Sequence, residues 1–236
     1  LHISILGLGP SVRQYLEITK RWGGRRAYCD ETWCINALGD VFACDRVFHL
    51  DDVRIQEIRA EAKPDSNIAH MLKWLKRDDI PPVVTSMAHP DYPNHEAFPL
   101  AQVIERFPLA YFNSTAAYAI AYALYVGATK ISCFGMDFTY ESSHDSEKGR
   151  ACVEFWLGMA AQMGVEICVP KTTSLLDACN SQAQRFYGYD CVDLDMQRSD
   201  EGVTVKFSPR ESLPTAEEIE RAYDHSRHAN PLMDKD

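Results

Sequence analysis

The sequence predicts an α/β protein built on a doubly wound, mostly parallel sheet, with a C-terminal β/α appendage. Three observations predict it. Short apolar runs alternate with longer helical stretches along most of the chain. The first run, Ile3–Leu6, leads into the glycine-containing turn Gly7-Leu8-Gly9-Pro10-Ser11 and then a helix. The stretch 114–126, "STAAYAIAYALYV", is apolar on nearly every face, as a helix buried between layers must be.

The elements follow in order. Ile3–Leu6 reads as a buried strand. Ser11 is placed to cap the next helix, with Gln14 completing a capping box. That helix runs to Trp22 and stops at Gly23-Gly24. Thr32–Asn36 and Arg46–Leu50 are strands two and three. Val53–Lys76 is helical and interrupted near Pro64. Val83–Ser86 is a strand, followed by the Pro- and His-rich loop "MAHPDYPNHEAFP". Leu100–Arg106 is a short helix and Ala110–Phe112 a short strand. The apolar helix ends at Gly127, and Lys130–Phe134 is a strand. A polar loop long enough to act as a lid precedes a helix over Arg150–Met163, and Val165–Val169 is the last strand of the series. This organisation predicts a nucleotide-binding domain over 1–171. An appendage over 172–236, two short strands and a helix, packs on it.

Bulk properties narrow the function. The 236 residues carry a net charge of −10, with 46% hydrophobic and 25% charged residues. Such a balance argues against a broad nucleic-acid or membrane surface, which needs clustered Lys and Arg. The eight cysteines form no C-x-x-C pair and no zinc spacing. They read as reduced thiols in a cytoplasmic protein, and no apolar run is long enough to span a membrane.

In a parallel doubly wound sheet, ligands bind where loops leave the carboxyl ends of the strands. Candidate site residues therefore follow strands. Gly7 and Gly9 let a backbone approach a phosphate or ribose without a Cβ, Pro10 stiffens the turn, and Ser11 opens the helix. Asn36 can hydrogen-bond a base or sugar. In "HLDD", one of Asp51 and Asp52 caps a helix, and the other is free for a metal, a ribose or proton transfer. Ser86 sits at the same edge. Asn113, Ser114 and Thr115 crowd a helix N-terminus, where an anion is favoured. "FGMDF" brings Gly135, Met136 and Asp137 to the end of a strand. His144, in the polar loop, is the general-base candidate by position, ahead of His89 and His95. "QRFYGYD" (184–190) places an Arg and two Tyr around a glycine, either to stack on a base or to turn a sheet corner.

Taken together, "GLGPS", "INA" and "STAAYAIAYALYVGATKISCFGMDF" resemble one superfamily over residues 2–170. It holds the bacterial lipo-oligosaccharide sialyltransferases, the motility-accessory-factor glycosyltransferases and the hydroxymethylpterin diphosphokinase-like proteins. The chain also looks like bacteriophage-encoded proteins of this type. The resemblance implies a Rossmann-like, sialyltransferase-like fold. By the same resemblance, Gly7, Gly9 and Ser11 line the phosphates or ribose of a nucleotide, and Asn36 contacts the nucleotide or its sugar. Ser114 and Thr115 hold the base or donor, while Gly135 and Asp137 shape the donor pocket. Two departures stand out. Leu8 occupies a position where the sialyltransferases usually have Asn, and their catalytic His lies well beyond the G-x-D-F stretch.

Three readings follow. The first is a glycosyltransferase using a nucleotide-sugar donor and a hydroxyl acceptor, with His144 or Asp137 taking the proton. A phage protein, working in the host cytoplasm, would have a hydroxymethylated DNA base as an option for acceptor. The second is Mg-dependent phosphoryl or pyrophosphoryl transfer from ATP to a hydroxymethyl group, with Asp51, Asp52 and Asp137 near the metal. The third is a non-catalytic nucleotide-binding or assembly protein.

Overall fold

The computed structural model describes residues 1–107, 109–139, 143–180, 186–189, 191–200 and 202–222. They fall into two compact units, Leu1–Cys179 and Asn180–Asp236. The first runs past the expected limit at 171. Thr173 Oγ1 donates to the Met136 carbonyl at 3.0 Å and Ser174 Oγ to that of Asp137 at 2.8 Å, which ties this segment to the first unit.

Within the first unit, β1 (His2–Leu6) leads to α1 (Val12–Trp22) and the short α2 (Arg25–Tyr28). Next come β2 (Glu31–Ile35), a 3-10 turn over Asn36–Asp40, and β3 (Arg46–Phe48). The helices α3 (Val53–Ala62) and α4 (Asn67–Leu75) flank Pro64, where the sequence predicts the interruption. Then follow β4 (Val83–Thr85), β5 (His95–Ala97), α5 (Leu100–Arg106), α6 (Thr115–Tyr125), β6 (Lys130–Phe134), α7 (Ser143–Gln162) and β7 (Glu166–Cys168). The seven strands form one sheet in the order β5-β4-β3-β2-β1-β6-β7, and every pairing is parallel. The predicted doubly wound sheet is thus present.

Strand alternation sorts the core into two layers, because successive side chains face opposite sides of a sheet. Ile3, Ile5, Trp33 and Ile35 pack with Ala117, Ile120 and Leu124 of α6 and with Trp156 and Leu157 of α7. Leu6, Cys34 and Phe134 pack on the other side, with Tyr15 of α1 and with Leu72, Trp74 and Leu75 of α4. Helix α6 is the buried helix its composition predicts: seven of its eleven residues, five of them alanines, are buried. Alanine lets it lie close against the strands.

Four local expectations are corrected. Ala110–Phe112 joins no strand; the Tyr111 carbonyl accepts from the Trp156 indole N–H at 2.9 Å, and Phe112 stacks on Trp156. The loop after β4 instead supplies an edge strand, β5. Helix α7 begins at Ser143 rather than at Arg150. Acidic Asp145 in its first turn suits the positive end of the helix dipole. Gly149 fits inside it because the Phe138 ring packs where a side chain would stand: a Cβ there would lie 2.7 Å from Phe138 Cε1. Lastly, Ser11 makes no side-chain cap bond, so the expected capping box with Gln14 is absent. A capping box does form at Thr215, whose side chain accepts from the Glu218 N–H while the Glu218 carboxylate accepts from the Thr215 N–H at 2.8 Å.

The second unit holds the antiparallel pair β8 (Val192–Ser199) and β9 (Gly202–Pro209), then α8 (Ala216–Ala222). These are the two strands and the helix expected of the appendage. The segment 184–190, expected either to stack on a base or to turn a sheet corner, lies partly outside the described residues.

Two glycines give opposite expectations. Gly135 has φ +70°, and a Cβ on it would overlap the Gly7 carbonyl. Gly135→Ala is expected to lower Tm by about 5 °C or more. Gly158, inside α7, has open space around it and an ordinary helical backbone. Gly158→Ala is expected to raise Tm by about 2 °C. Thermal unfolding followed by circular dichroism reads both.

Candidate functional site

The chain winds outward from β1 to β5, then returns to place β6 on the other side of β1. The switch point of the sheet therefore lies between β1 and β6, whose connections lead to helices on opposite faces of the sheet, α1 and α7. A cleft of about 500 Å³ opens at that edge. Its walls are the β1 turn (Gly7–Pro10), Ile35 and Asn36 after β2, Asp51 after β3 and the start of α6 (Asn113–Ala116). The β6 turn (Gly135–Thr139) and Asp145, Lys148 and Gly149 of α7 complete them. Eleven of the predicted site residues meet here: Gly7, Gly9, Pro10, Asn36, Asp51, Asn113, Ser114, Thr115, Gly135, Met136 and Asp137.

The glycines do something other than cradle a phosphate. The Gly7 N–H donates to the Phe134 carbonyl and the Gly9 N–H to that of Gly135, both at 2.7 Å. A Cβ on Gly7 would overlap the Gly135 carbonyl, and one on Gly9 would overlap the Asp137 carboxylate. The two turns are zipped backbone to backbone, and only glycine permits the approach. Ser11 completes the zip. Its hydroxyl accepts from the Gly135 N–H at 2.8 Å, and its own N–H donates to Asp137 Oδ2 at 2.8 Å. The N-terminus of α1 is thus already held by a carboxylate. Val12, Arg13 and Gln14 N–H groups bond to the carbonyls of Gly9, Pro10 and Ser11. The expected phosphate cradle at Ser11 is therefore filled from within the protein, and Ser11 itself does not line the cleft.

Helix α6 presents the open N-terminus instead. Ser114 caps it, its hydroxyl accepting from the Ala117 N–H at 3.4 Å. The N–H groups of Thr115 and Ala116 have no partner among the described residues, and both residues line the cleft. First-turn N–H groups attract an anion. Lys148 adds a full positive charge to the same cleft and makes no ion pair among the described residues.

Asn36 and Phe138, on opposite walls, have left-handed backbones, at φ +52° and +48°. Asn tolerates this conformation, whereas Phe adopts it only under constraint from its surroundings. Asn36 Oδ1 lies 3.1 Å from Nδ1 of His49, and Nε2 of His49 lies 2.9 Å from Oε1 of Gln56. His49 is fully buried, and burial lowers its pKa against the opposing pull of Asp51.

The remaining predicted residues lie elsewhere. Asp52 caps α3, accepting from the Arg54 N–H at 2.9 Å. With Ser86 it lines a separate depression of about 290 Å³. Asp51, Asp52 and Asp137 are therefore not gathered around one metal position, and no cluster of metal-ligating side chains occurs among the described residues. His144 falls in the first turn of α7, exposed and outside the cleft lining. Asp137 is buried, with one oxygen on the Ser11 N–H and the other without a hydrogen-bond partner. Sequence reading missed Lys148 and Asp145. The signal was the mixed-charge run 145–150, read as loop but forming the opening turns of α7.

No protein-family model matches the sequence, and no curated protein matches it. Among solved structures, the chain is similar to the sialyltransferase CST-II in complex with a trisaccharide acceptor and CMP. The TM-score is 0.44 and the identity 13%, covering 94% of this chain and 98% of that one. It is also similar to the sialyltransferase CstII from Campylobacter jejuni in complex with the substrate analogue cytidine-5'-monophosphate. There the TM-score is 0.41 and the identity 12%, covering 93% and 97% of the two chains. No described helix is long and apolar enough to cross a membrane.

His95, the rival base, lies on β5 away from the cleft. It is buried and stacked on Tyr92 at 4.6 Å, and neither ring nitrogen has a partner among the described residues. Burial, helped by the nearby His49 and His89, pushes its pKa down to about 4. The unfolded chain takes this proton near pH 6.5, so it binds more protons than the folded protein between the two values. Stability from this group is complete above about pH 6.5 and falls as pH drops toward 4. Tm is expected to fall by several degrees between pH 7 and pH 5, and by visibly less in His95→Phe. Calorimetry at a series of pH values checks this.

Proposed function

We propose that the cleft binds a nucleotide-activated sugar and that the protein transfers the sugar to a hydroxyl acceptor. One observation carries the reading. At the switch point of a parallel sheet, the N-terminus of α6 and Lys148, which makes no ion pair among the described residues, line the same cleft. That is a place for a phosphate, in a cleft large enough for a nucleotide with a sugar attached. The motif resemblance points the same way.

The chemistry then divides among the lining residues. The acceptor oxygen attacks the anomeric carbon as its proton passes to a cleft carboxylate, Asp51 or Asp145. The bond from that carbon to the phosphate oxygen breaks, and its electron pair leaves with the nucleotide. Lys148 and the Thr115 and Ala116 N–H groups stabilise the charge that develops there. Ser114, Thr115 and Asn36 supply hydrogen bonds for the base, ribose or sugar. Asp137 holds the two turns together rather than moving a proton. Three carboxylates on the walls, with a chain charge of −10, favour a small hydroxyl compound as acceptor over hydroxymethylated DNA.

A thermal-shift screen with CMP-, UDP- and GDP-sugars and with ATP tests the reading. One class of nucleotide sugar is expected to raise Tm and to release free nucleotide when an acceptor is present. Lys148→Ala is expected to weaken its binding about ten-fold or more. Either Asp51→Asn or Asp145→Asn is expected to lower turnover about 100-fold while binding is kept. A response to ATP and Mg²⁺ alone, or to no nucleotide, would overturn it.

A further inference from the structure

Asn36 is a cleft residue whose side chain is tied to a buried histidine. Its amide meets the buried ring of His49, and the other ring nitrogen of His49 meets Gln56. Both contacts are made to amide oxygens at 3.1 and 2.9 Å, so as they stand the ring would need two N–H groups. A neutral imidazole has one donor and one acceptor, and a fully buried ring is held neutral by its surroundings. One of the two amides must therefore turn its NH₂ toward the ring.

The choice has a consequence at the cleft. If Gln56 turns, His49 carries its proton on Nδ1 and donates to Asn36 Oδ1. The NH₂ of Asn36 then faces the cleft. If Asn36 turns, its carbonyl faces the cleft instead. The walls decide between them. Asp51, Asp137 and Asp145 line the cleft with Asn36 and outnumber its one lining cation, Lys148. Their charges favour the positive end of the amide dipole on that side and repel the carbonyl.

We propose that His49 is a positioning residue: in its Nδ1–H form it fixes Asn36 with the amide NH₂ toward the cleft, so that Asn36 donates to an acceptor oxygen of the ligand. The ligand part rests on the nucleotide reading above. The tautomer part does not.

Nitrogen-15 NMR of the histidine rings in the free protein tests the tautomer. His49→Asn identifies the signal, and an Nδ1-protonated ring is expected at neutral pH. A ring protonated on Nε2, or on both nitrogens, would overturn the proposal whatever the ligand. Titration calorimetry with CMP, UMP, GMP and AMP tests the rest. For the nucleotide that binds the unaltered protein, Asn36→Asp is expected to weaken binding about ten-fold or more, since a carboxylate cannot donate. His49→Leu is expected to weaken it similarly. His49→Asn, which keeps a donor near the Nδ1 position, is expected to restore it to within about three-fold. Full binding by Asn36→Asp would show that the residue accepts, and would overturn the proposal. Nδ1 protonation in a protein that binds no nucleotide would remove the nucleotide reading and leave His49 as the residue that orients Asn36.

Discussion

The backbone contact between the turns after β1 and β6 underlies the rest of the molecule's chemistry. Gly7 and Gly9 donate to the carbonyls of Phe134 and Gly135, and neither glycine has room for a side chain. Ser11 and Asp137 then cross-link the same turns through two further hydrogen bonds at 2.8 Å. This contact closes the floor of the switch point. It also takes up the N–H groups of Gly7, Gly9 and Ser11, which a phosphate-binding loop would have offered. An anion entering the cleft must look to α6 and α7 instead.

The cleft is consequently asymmetric in charge. Asp137 satisfies the positive end of α1 from inside the protein. Asp51 and Asp145 add negative charge on the walls, while Lys148 and the first N–H groups of α6 stay open to a ligand. Such a division suits a molecule with a phosphate at one end and hydroxyl groups at the other. On the proposed reading, the carboxylates would serve the hydroxyls, and the cation and the helix end the phosphate.

Much of this was legible in the sequence, for local reasons. A buried strand before a glycine turn, or an alanine-rich apolar helix, declares itself by composition over a few residues. The rule that ligands gather at the carboxyl edge then placed Asn36, Asp51, Ser114 and Asp137 together. The errors were also local. The opening of α7 reads as polar loop because its charges mask the helical period, which hides Lys148 and makes His144 look like a loop residue. Ser11 followed by Gln14 matches a capping box by spacing, yet tertiary partners took the Ser11 hydroxyl away from its own helix.

By itself, the sequence determined the alternation of strands and helices, the parallel sheet and the edge at which polar residues collect. All of these follow from periodicity and turn chemistry within short windows. Only the tertiary structure decided which of those polar groups remain available. Ser11 and Asp137 are 126 residues apart, and His49 meets Asn36 through a strand packed beside its own. A hydrogen bond satisfied across such distances leaves no local pattern. For that reason "GLGPS" could be placed at the carboxyl edge from sequence, but not as one half of a hydrogen-bonded link between two turns.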